Sequence, residues 1–446
     1  MSAQAERSGS EQGEALSEPV SDEALRPRHE PEDTGAGLLS AVLARANMQQ
    51  AWKRVRSNKG AAGIDGLGID EMSERLMWEW PAIREQLLRG TYRPQPVRRV
   101  TIPKPEGGQR ELGIPTVVDR LIQQALLQVL QPLLDPTFSQ HSYGFRPGRS
   151  AHQAVYAAQA HVESGRRVVV DVDLEKFFDR VHHDILIDRL RKRVADAGVI
   201  RLVRAYLTSG IMEGGVFMER SEGTPQGGPL SPLLANVLLD EVDKELERRG
   251  HRFVRYADDA NVYVRSRRAG KRVMALLLKL YARLRLKVNE AKSAVASVFQ
   301  RKFLGFSFWV AASGRIKRRV ATKAMATFKH RVRKLTWRSG GRSLEQVVER
   351  LRRYVLGWKG YFRLAETPKV WKELDQWIRH RMRAVQIKQW RRGATAYREL
   401  LERGARPEVA LMVAGNLRRL WRNSGTPLNG VLDLSWADQL KIPRLC

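Results

Sequence analysis

The sequence predicts an α+β domain followed by an all-α domain, and three observations carry this. Between about 96 and 310, short β-branched runs alternate with amphipathic stretches. That stretch holds no G-x-G-x-x-G and no phosphate-loop motif, which argues against a dinucleotide or P-loop fold. From about 315 onward no clear strand is legible, and the chain reads as helices rich in Arg and Trp. At 446 residues the chain is too long for one compact core, so two or three domains are expected.

The elements follow in order. Residues 1–38 are rich in Glu, Ser, Pro and Gly and net acidic, which predicts a disordered tail. Helical patterning begins at Leu38, Leu39, Val42, Leu43 and Ala46, and a Gly-rich loop, NKGAAGIDG, covers 58–66. A helix follows over 72–88, then Pro-punctuated strands around 93–103. VVVDVDL (168–174) reads as a strand and HDILIDRLRKRV (183–194) as an amphipathic helix. A long helix over 231–250 opens at Ser-Pro and closes at Gly250, a favourable pair of ends. FVRYADD and NVYVRS form a hairpin signal, and 272–286 is a further helix. The expected domains are an N-terminal extension over 39–95, a mixed domain over 96–312 and a helical domain over 313–446.

The formal net charge is +31 and the pI about 10.8, which points to a polyanionic partner, usually nucleic acid. Residues 315–446 hold 32 Lys and Arg against 10 Asp and Glu, so most of the excess lies in the helical part. A single cysteine, Cys446, excludes an intramolecular disulfide framework and a cysteine zinc site. No apolar run of about 18 residues occurs, so no membrane partner is expected. With no apolar leader either, the expected location is a reduced, intracellular one.

Asp258 and Asp259 stand side by side inside an apolar, aromatic hairpin. Two carboxylates held together repel and lose solvation unless a cation neutralises them. Hard divalent cations with oxygen ligands do so, and Mg²⁺ is the usual choice beside phosphates. Candidates for a third carboxylate lie about 85 residues upstream in VVVDVDLEKFFDRV, where Asp171 and Asp173 alternate with Val and face the same way.

YADD (256–259) resembles the catalytic hairpin of reverse transcriptases, and VDLEKFFD (172–179) their first carboxylate block. GTPQGGPLSPLLANVLLDEVD (223–243) resembles the loop–helix block between them in its group II intron form. Further blocks occur in the family's order: IPKPEGGQRELGIPTVVDRLIQQAL (102–126), SYGFRPGRSAHQAV (142–155), LKVNEAKS (286–293) and KFLGFSF (302–308). The stretch 356–392 is similar to the maturase, or thumb, domain of group II intron-encoded proteins, and NKGAAGIDG to a template-clasping loop of that family. The resemblance covers about 50–440. It implies a right-hand polymerase, fingers and palm with an antiparallel palm sheet, followed by an all-α thumb.

Residue by residue, the resemblance implies that Asp173, Asp258 and Asp259 are catalytic and bind two Mg²⁺, with the Leu174 carbonyl as a further ligand and Mn²⁺ as a substitute. Asp173 is chosen over Asp171 because the family has an aromatic five residues on, followed by Asp, here Phe178 and Asp179. Phe178 is then the gate under the sugar. Lys104 and Arg110 are expected on the triphosphate, Gln226 near the nascent base pair, and Lys292 as acid for the leaving group. Arg146, Arg149, Gly227, Tyr256, Lys359, Arg379 and Arg383 are expected against nucleic acid. Most of Trp358, Trp371, Trp377, Trp390, Trp421 and Trp436 are expected in the helical core.

The implied partners are group II intron RNA, a DNA target and primer, and dNTPs, in a bacterial cytoplasm at the nucleoid. No paired cysteines of an HNH nuclease are present, so no second-strand cutting is expected. A domesticated enzyme of the same type, serving defence, repair or CRISPR adaptation, is the alternative.

Overall fold

The computed structural model describes residues 37–103, 109–213, 216–218, 222–224 and 227–446. Most of the acidic tail, Lys104 and Gln226 therefore lie outside the described residues, as does the side chain of Arg110.

Three helices, Leu38–Val42, Arg45–Ser57 and Ile69–Arg89, open the chain. The second lies along the Val117–Leu134 helix, and Asn47 ties them by donating to the Ala125 carbonyl at 3.1 Å. Among the described residues ten strands follow in chain order: β1 Val97–Pro103, β2 Gln109–Ile114, β3 Val168–Val172, β4 Ile211–Glu213, β5 Val216–Met218, β6 Arg252–Tyr256, β7 Asp259–Val264, β8 Ala294–Ser297, β9 Phe306–Val310 and β10 Ile316–Val320. One sheet runs β2-β1-β4-β5, its β1–β4 pair parallel. A second runs β6-β7-β3-β8 and is antiparallel throughout, as expected for a palm, and β9 and β10 pair as a separate hairpin.

Alternation gives this second sheet two apolar faces. Val170, Val172, Phe253 and Val262 join the main core with the Ser231–Arg248 helix. Val169, Val254 and Tyr263 face the opposite way, toward the Ala151–Glu163 helix and the β9–β10 hairpin. The remaining helices, from Thr322–Leu335 onward, enclose a third core.

The hairpin and the long helix fall where the sequence places them, the helix ending beside Gly250 at φ 70°. β10 is a correction. It lies beyond 315, where no strand is legible, because Lys317, Arg318 and Arg319 fill its middle. Pairing to β9 and the Glu366 carboxylate, 3.1 Å from Arg318 Nε, hold it in place.

Candidate active site

Asp258 sits in the two-residue turn between β6 and β7, and Asp259 opens β7, where it pairs with Tyr256. Ala257 takes φ 58°, a left-handed conformation that costs a non-glycine residue about 1 kcal/mol or more. What over-determines the turn lies beneath it. Arg255 is 1% exposed and donates to both Asp243 carboxylate oxygens (2.6–2.9 Å), to Asn236 Oδ1 (2.9 Å) and to the Ala257 carbonyl (2.9 Å). Asn236, fully buried, donates onward to the Gly144 carbonyl at 3.0 Å. Gly144 must be glycine here: a Cβ would stand 2.2 Å from the Ala257 nitrogen. Burial pushes the Asp243 carboxyl up, and the Arg255 guanidinium pulls it back toward ionisation. One buried ion pair thus fixes the backbone that presents Asp258.

The strand register sets the third carboxylate. Val172 pairs with Ala260, so Asp173, one residue beyond β3, comes level with Asp259 on the neighbouring strand. Asp171, Asp173, Asp259 and Asn261 share one face of the sheet by alternation. Asp259 opens to solvent at its edge, yet its carboxyl is pushed up to about 7. Burial is the largest cause, then the charges of Asp258, Asp171 and Asp173, with Lys302 pulling the other way. Among the described residues no group of three His, Cys, Asp or Glu is gathered tightly enough to hold a metal ion by itself. The mutual repulsion at Asp259 nevertheless marks a surplus of negative charge that fits a hard cation completed by substrate oxygens.

Asp171 and Asp173 have different surroundings. Asp171 is braced by Arg301 at 2.6 Å and by the Asn261 amide, whose nitrogen, suitably turned, lies 3.0 Å from its other oxygen. Asp173 keeps an accessible carboxylate with Lys292 Nζ 3.9 Å away. Its backbone is pinned by the 288–293 segment: its amide donates to Ser293 Oγ (3.0 Å), and its carbonyl accepts from the Asn289 amide (2.8 Å). Leu174 is buried and bridges to Val288.

Phe177 enters the core at 3% exposure, while Phe178 remains half-buried with the Thr224 amide on its carbonyl at 2.7 Å. Gly227, at φ 132°, leaves no room for a Cβ, which would meet the Gly113 carbonyl at 2.6 Å. Gly227 thus lies against β2, the strand that carries Arg110. Tyr256 is half-buried at the end of β6.

Two of the arginines expected on nucleic acid turn inward instead. Arg146, 7% exposed, is taken up by Asp135 and by the Ser139, Ser142 and Asp135 carbonyls. Arg383, 6% exposed, donates to the Leu432 and Ser424 carbonyls and to Asn429. Both brace loops, because each stands where several carbonyls converge. Arg149 lies half-buried on Gln140 and over the Tyr143 ring. Lys359 donates to the Arg444 carbonyl at 3.2 Å, and Arg379 is half-buried. Trp390 and Trp436 are buried, Trp358, Trp371 and Trp377 pack against the core, and Trp421 is 44% exposed.

Sequence reasoning passed over Arg255, Asn236, Asp243 and Arg301. The available signal was Arg255 at an inward position of an apolar strand, facing Asn236 and Asp243, seven residues apart on one helix.

Residues 102–308 match the family model for reverse transcriptase (RNA-dependent DNA polymerase), and 325–404 that for the group II intron, maturase-specific domain. Protein YkfC of Escherichia coli (strain K12) is 40% identical over 218 residues, 48% of this chain and 57% of that protein. The group II intron-encoded protein LtrA of Lactococcus lactis subsp. cremoris is 31% identical over 337 residues, 60% of this chain and 56% of that protein. The chain thus spans somewhat over half the length of these relatives. A solved chain of a partial Cas6-RT-Cas1–Cas2 complex is 31% identical, with 55% of this chain and 42% of that chain covered and a TM-score of 0.37.

Proposed function

We propose, from the matches to the reverse transcriptase and group II intron maturase-specific families, that the chain copies RNA into DNA and serves as maturase to its own intron RNA. The observation that carries the chemistry is the register of the central strands β3 and β7, which brings Asp173 level with Asp259 beside Asp258; burial and the neighbouring acids push the Asp259 carboxyl up to about 7. Two Mg²⁺ ions held by Asp173, Asp258, Asp259 and the Leu174 carbonyl would supply the charge that activates a primer 3′-hydroxyl and stabilises leaving pyrophosphate; Mn²⁺ fits the same oxygen donors.

The chain's own residues do the rest. The Arg255 cradle holds Asp258 on a fixed backbone, so little reorganisation is needed when charge develops. Asp259, whose carboxyl is raised, would have to release its proton to hold a cation. Lys292, 3.9 Å from Asp173, is the proposed donor to the leaving group. Phe178 is the proposed gate against a 2′-hydroxyl, with Lys104 and Arg110 on the triphosphate and Gln226 with the Gly227 backbone beside the new base pair. Tyr256, Arg149, Lys359 and Arg379 are proposed to contact template, primer or intron RNA. The proposed units are the extension over 39–95, fingers and palm over 96–312 and thumb over 313–446, with β10 at the thumb's entrance. No helix among the described residues is long and apolar enough to cross a membrane. The proposed working place is the nucleoid, where an intron's transcript and DNA target meet.

The experiment is to purify the protein from its native cells and sequence the RNA that comes with it. One dominant RNA spanning the coding sequence and folding as a group II intron is the expected result. A mixed population or a short unrelated RNA would overturn the maturase part and leave the polymerase standing.

A further inference from the structure

A cavity of about 1290 Å³ opens in the helical C-terminal region, on a different core from the carboxylates. Three segments wall it: the loop before the Leu344–Phe362 helix, the junction after the Pro368–Trp390 helix, and the stretch after the Pro407–Gly415 helix. Arg338, Arg342, Lys388, Arg391, Arg418 and Arg419 line it, and no Asp or Glu does. None of the six has an acidic partner within ion-pair distance among the described residues. Cations gathered without counter-charge raise one another's energy, and a concave wall intensifies their field. The crowding extends beyond the rim: Arg381 falls to about 10, through burial first and then the charges of Arg338 and Arg333.

Two further observations narrow the ligand. Arg391 has φ 55° and ψ −49°, and the Arg392 amide donates back to the Trp390 carbonyl at 2.5 Å. That is the γ-turn of the rare, strained hand, on an arginine, at the cavity wall. Glycine would remove the strain; the arginine keeps a guanidinium at this corner. Second, tryptophans flank the charges. Trp337, next to Arg338, is 66% exposed, and Trp421, two residues past Arg419, is 44% exposed and stacked on His380. Exposed indoles beside backbone-neutralising arginines are what splayed bases require. A straight DNA duplex keeps its bases stacked inside and presents a convex backbone, which does not seat in a concavity.

We propose that this cavity binds a sharply turned single strand of RNA, its phosphates held by Arg391, Arg418, Arg419 and Arg338 and a flanking base stacked on Trp337. The site rests on the intron-RNA reading above and deepens it, placing a strand-turn contact apart from the polymerase cleft.

The test uses the full-length protein and two generic probes, a single-stranded RNA and a DNA duplex, each of about 20 nucleotides or base pairs, titrated at several salt concentrations. Arg391→Gln and the pair Arg418→Gln/Arg419→Gln are expected to weaken RNA about tenfold or more and to lower the salt slope by about 1 for each phosphate no longer neutralised. Trp337→Ala is expected to weaken RNA without changing that slope. Arg391→Gly, which relieves the strained turn, guards against a folding artefact: it is expected to melt no lower than the parent protein and to bind RNA as weakly as Arg391→Gln. Unchanged RNA affinity and slope would overturn the proposal, as would a loss confined to the duplex. Because the strand is generic, the outcome is independent of which RNA co-purifies, so this site and the maturase reading fail separately.

Discussion

Arg255, 1% exposed beneath the turn, has a hard position to satisfy. Taking a guanidinium and a carboxylate out of water costs several kcal/mol per ion, recovered only when every donor finds a partner. Here the donors go to Asp243, Asn236 and the Ala257 carbonyl, two residues along the chain. Arg255→Lys keeps the charge and loses the fork; kcat for primer extension is expected to fall about tenfold or more with KM for primer–template little changed. Asn236→Ala is expected to do the same to a smaller degree. Arg255→Met strands the Asp243 charge and should lower stability by about 3–5 kcal/mol. Thermal melts beside steady-state kinetics separate these effects, and an Arg255→Lys enzyme with parental kcat contradicts the positioning role.

Asp171 and Asp173 make a second contrast at this scale. Asp173→Asn is expected to lower extension by about a thousandfold or more without lowering the melting temperature. Asp171→Asn, which leaves Arg301 without its carboxylate partner, should stay within about tenfold of parent activity. The reverse order would move the catalytic role to Asp171. Asp259 adds a pH dependence. Its raised carboxyl carries a proton below pH 7 in the cation-free site, so a cation must displace that proton. The half-saturating Mg²⁺ concentration for extension is therefore expected to rise as pH falls through 7, by at most about tenfold per unit. Equal Mg²⁺ requirements at pH 6 and pH 8 would contradict it.

Among elements, the hairpin was legible because two apolar runs flank a short polar turn. The Ser231–Arg248 helix was legible from its Ser-Pro start and terminal Gly250. β10 was hidden because its stability comes from β9 and Glu366, partners that local pattern does not contain. Arg146 and Arg383 read as surface charges for the same reason: their carbonyl partners converge only in three dimensions. Gly144 belongs to this scale because it lets one loop touch the Ala257–Asp258 turn. Gly144→Ala places a methyl into the Ala257 backbone, 2.2 Å from its nitrogen. It should cost about 1–3 kcal/mol of stability and depress extension more than RNA binding. Parental melting and activity would show that the loop–turn contact is dispensable.

Across the whole molecule, charge and chemistry are divided. Carboxylates gather at one end of the central strands of an antiparallel sheet, while 32 of the 79 Lys and Arg lie in 315–446 with only 10 acids. This division was legible in composition, and the carboxylates that the strand register brings together were legible in ordered motifs. The cradle under the turn and the cavity of the helical domain were not, since each is assembled from segments that sequence distance separates. Polymerisation and RNA binding should therefore be separable. The measurement that tests this most directly is RNA-templated extension of a DNA primer by the parent protein and by Asp258→Ala/Asp259→Ala, with RNA affinity measured on the same preparations. The account predicts Mg²⁺-dependent cDNA from the parent, none from the double variant, and equal RNA affinity for both. Primer extension by the double variant would contradict it.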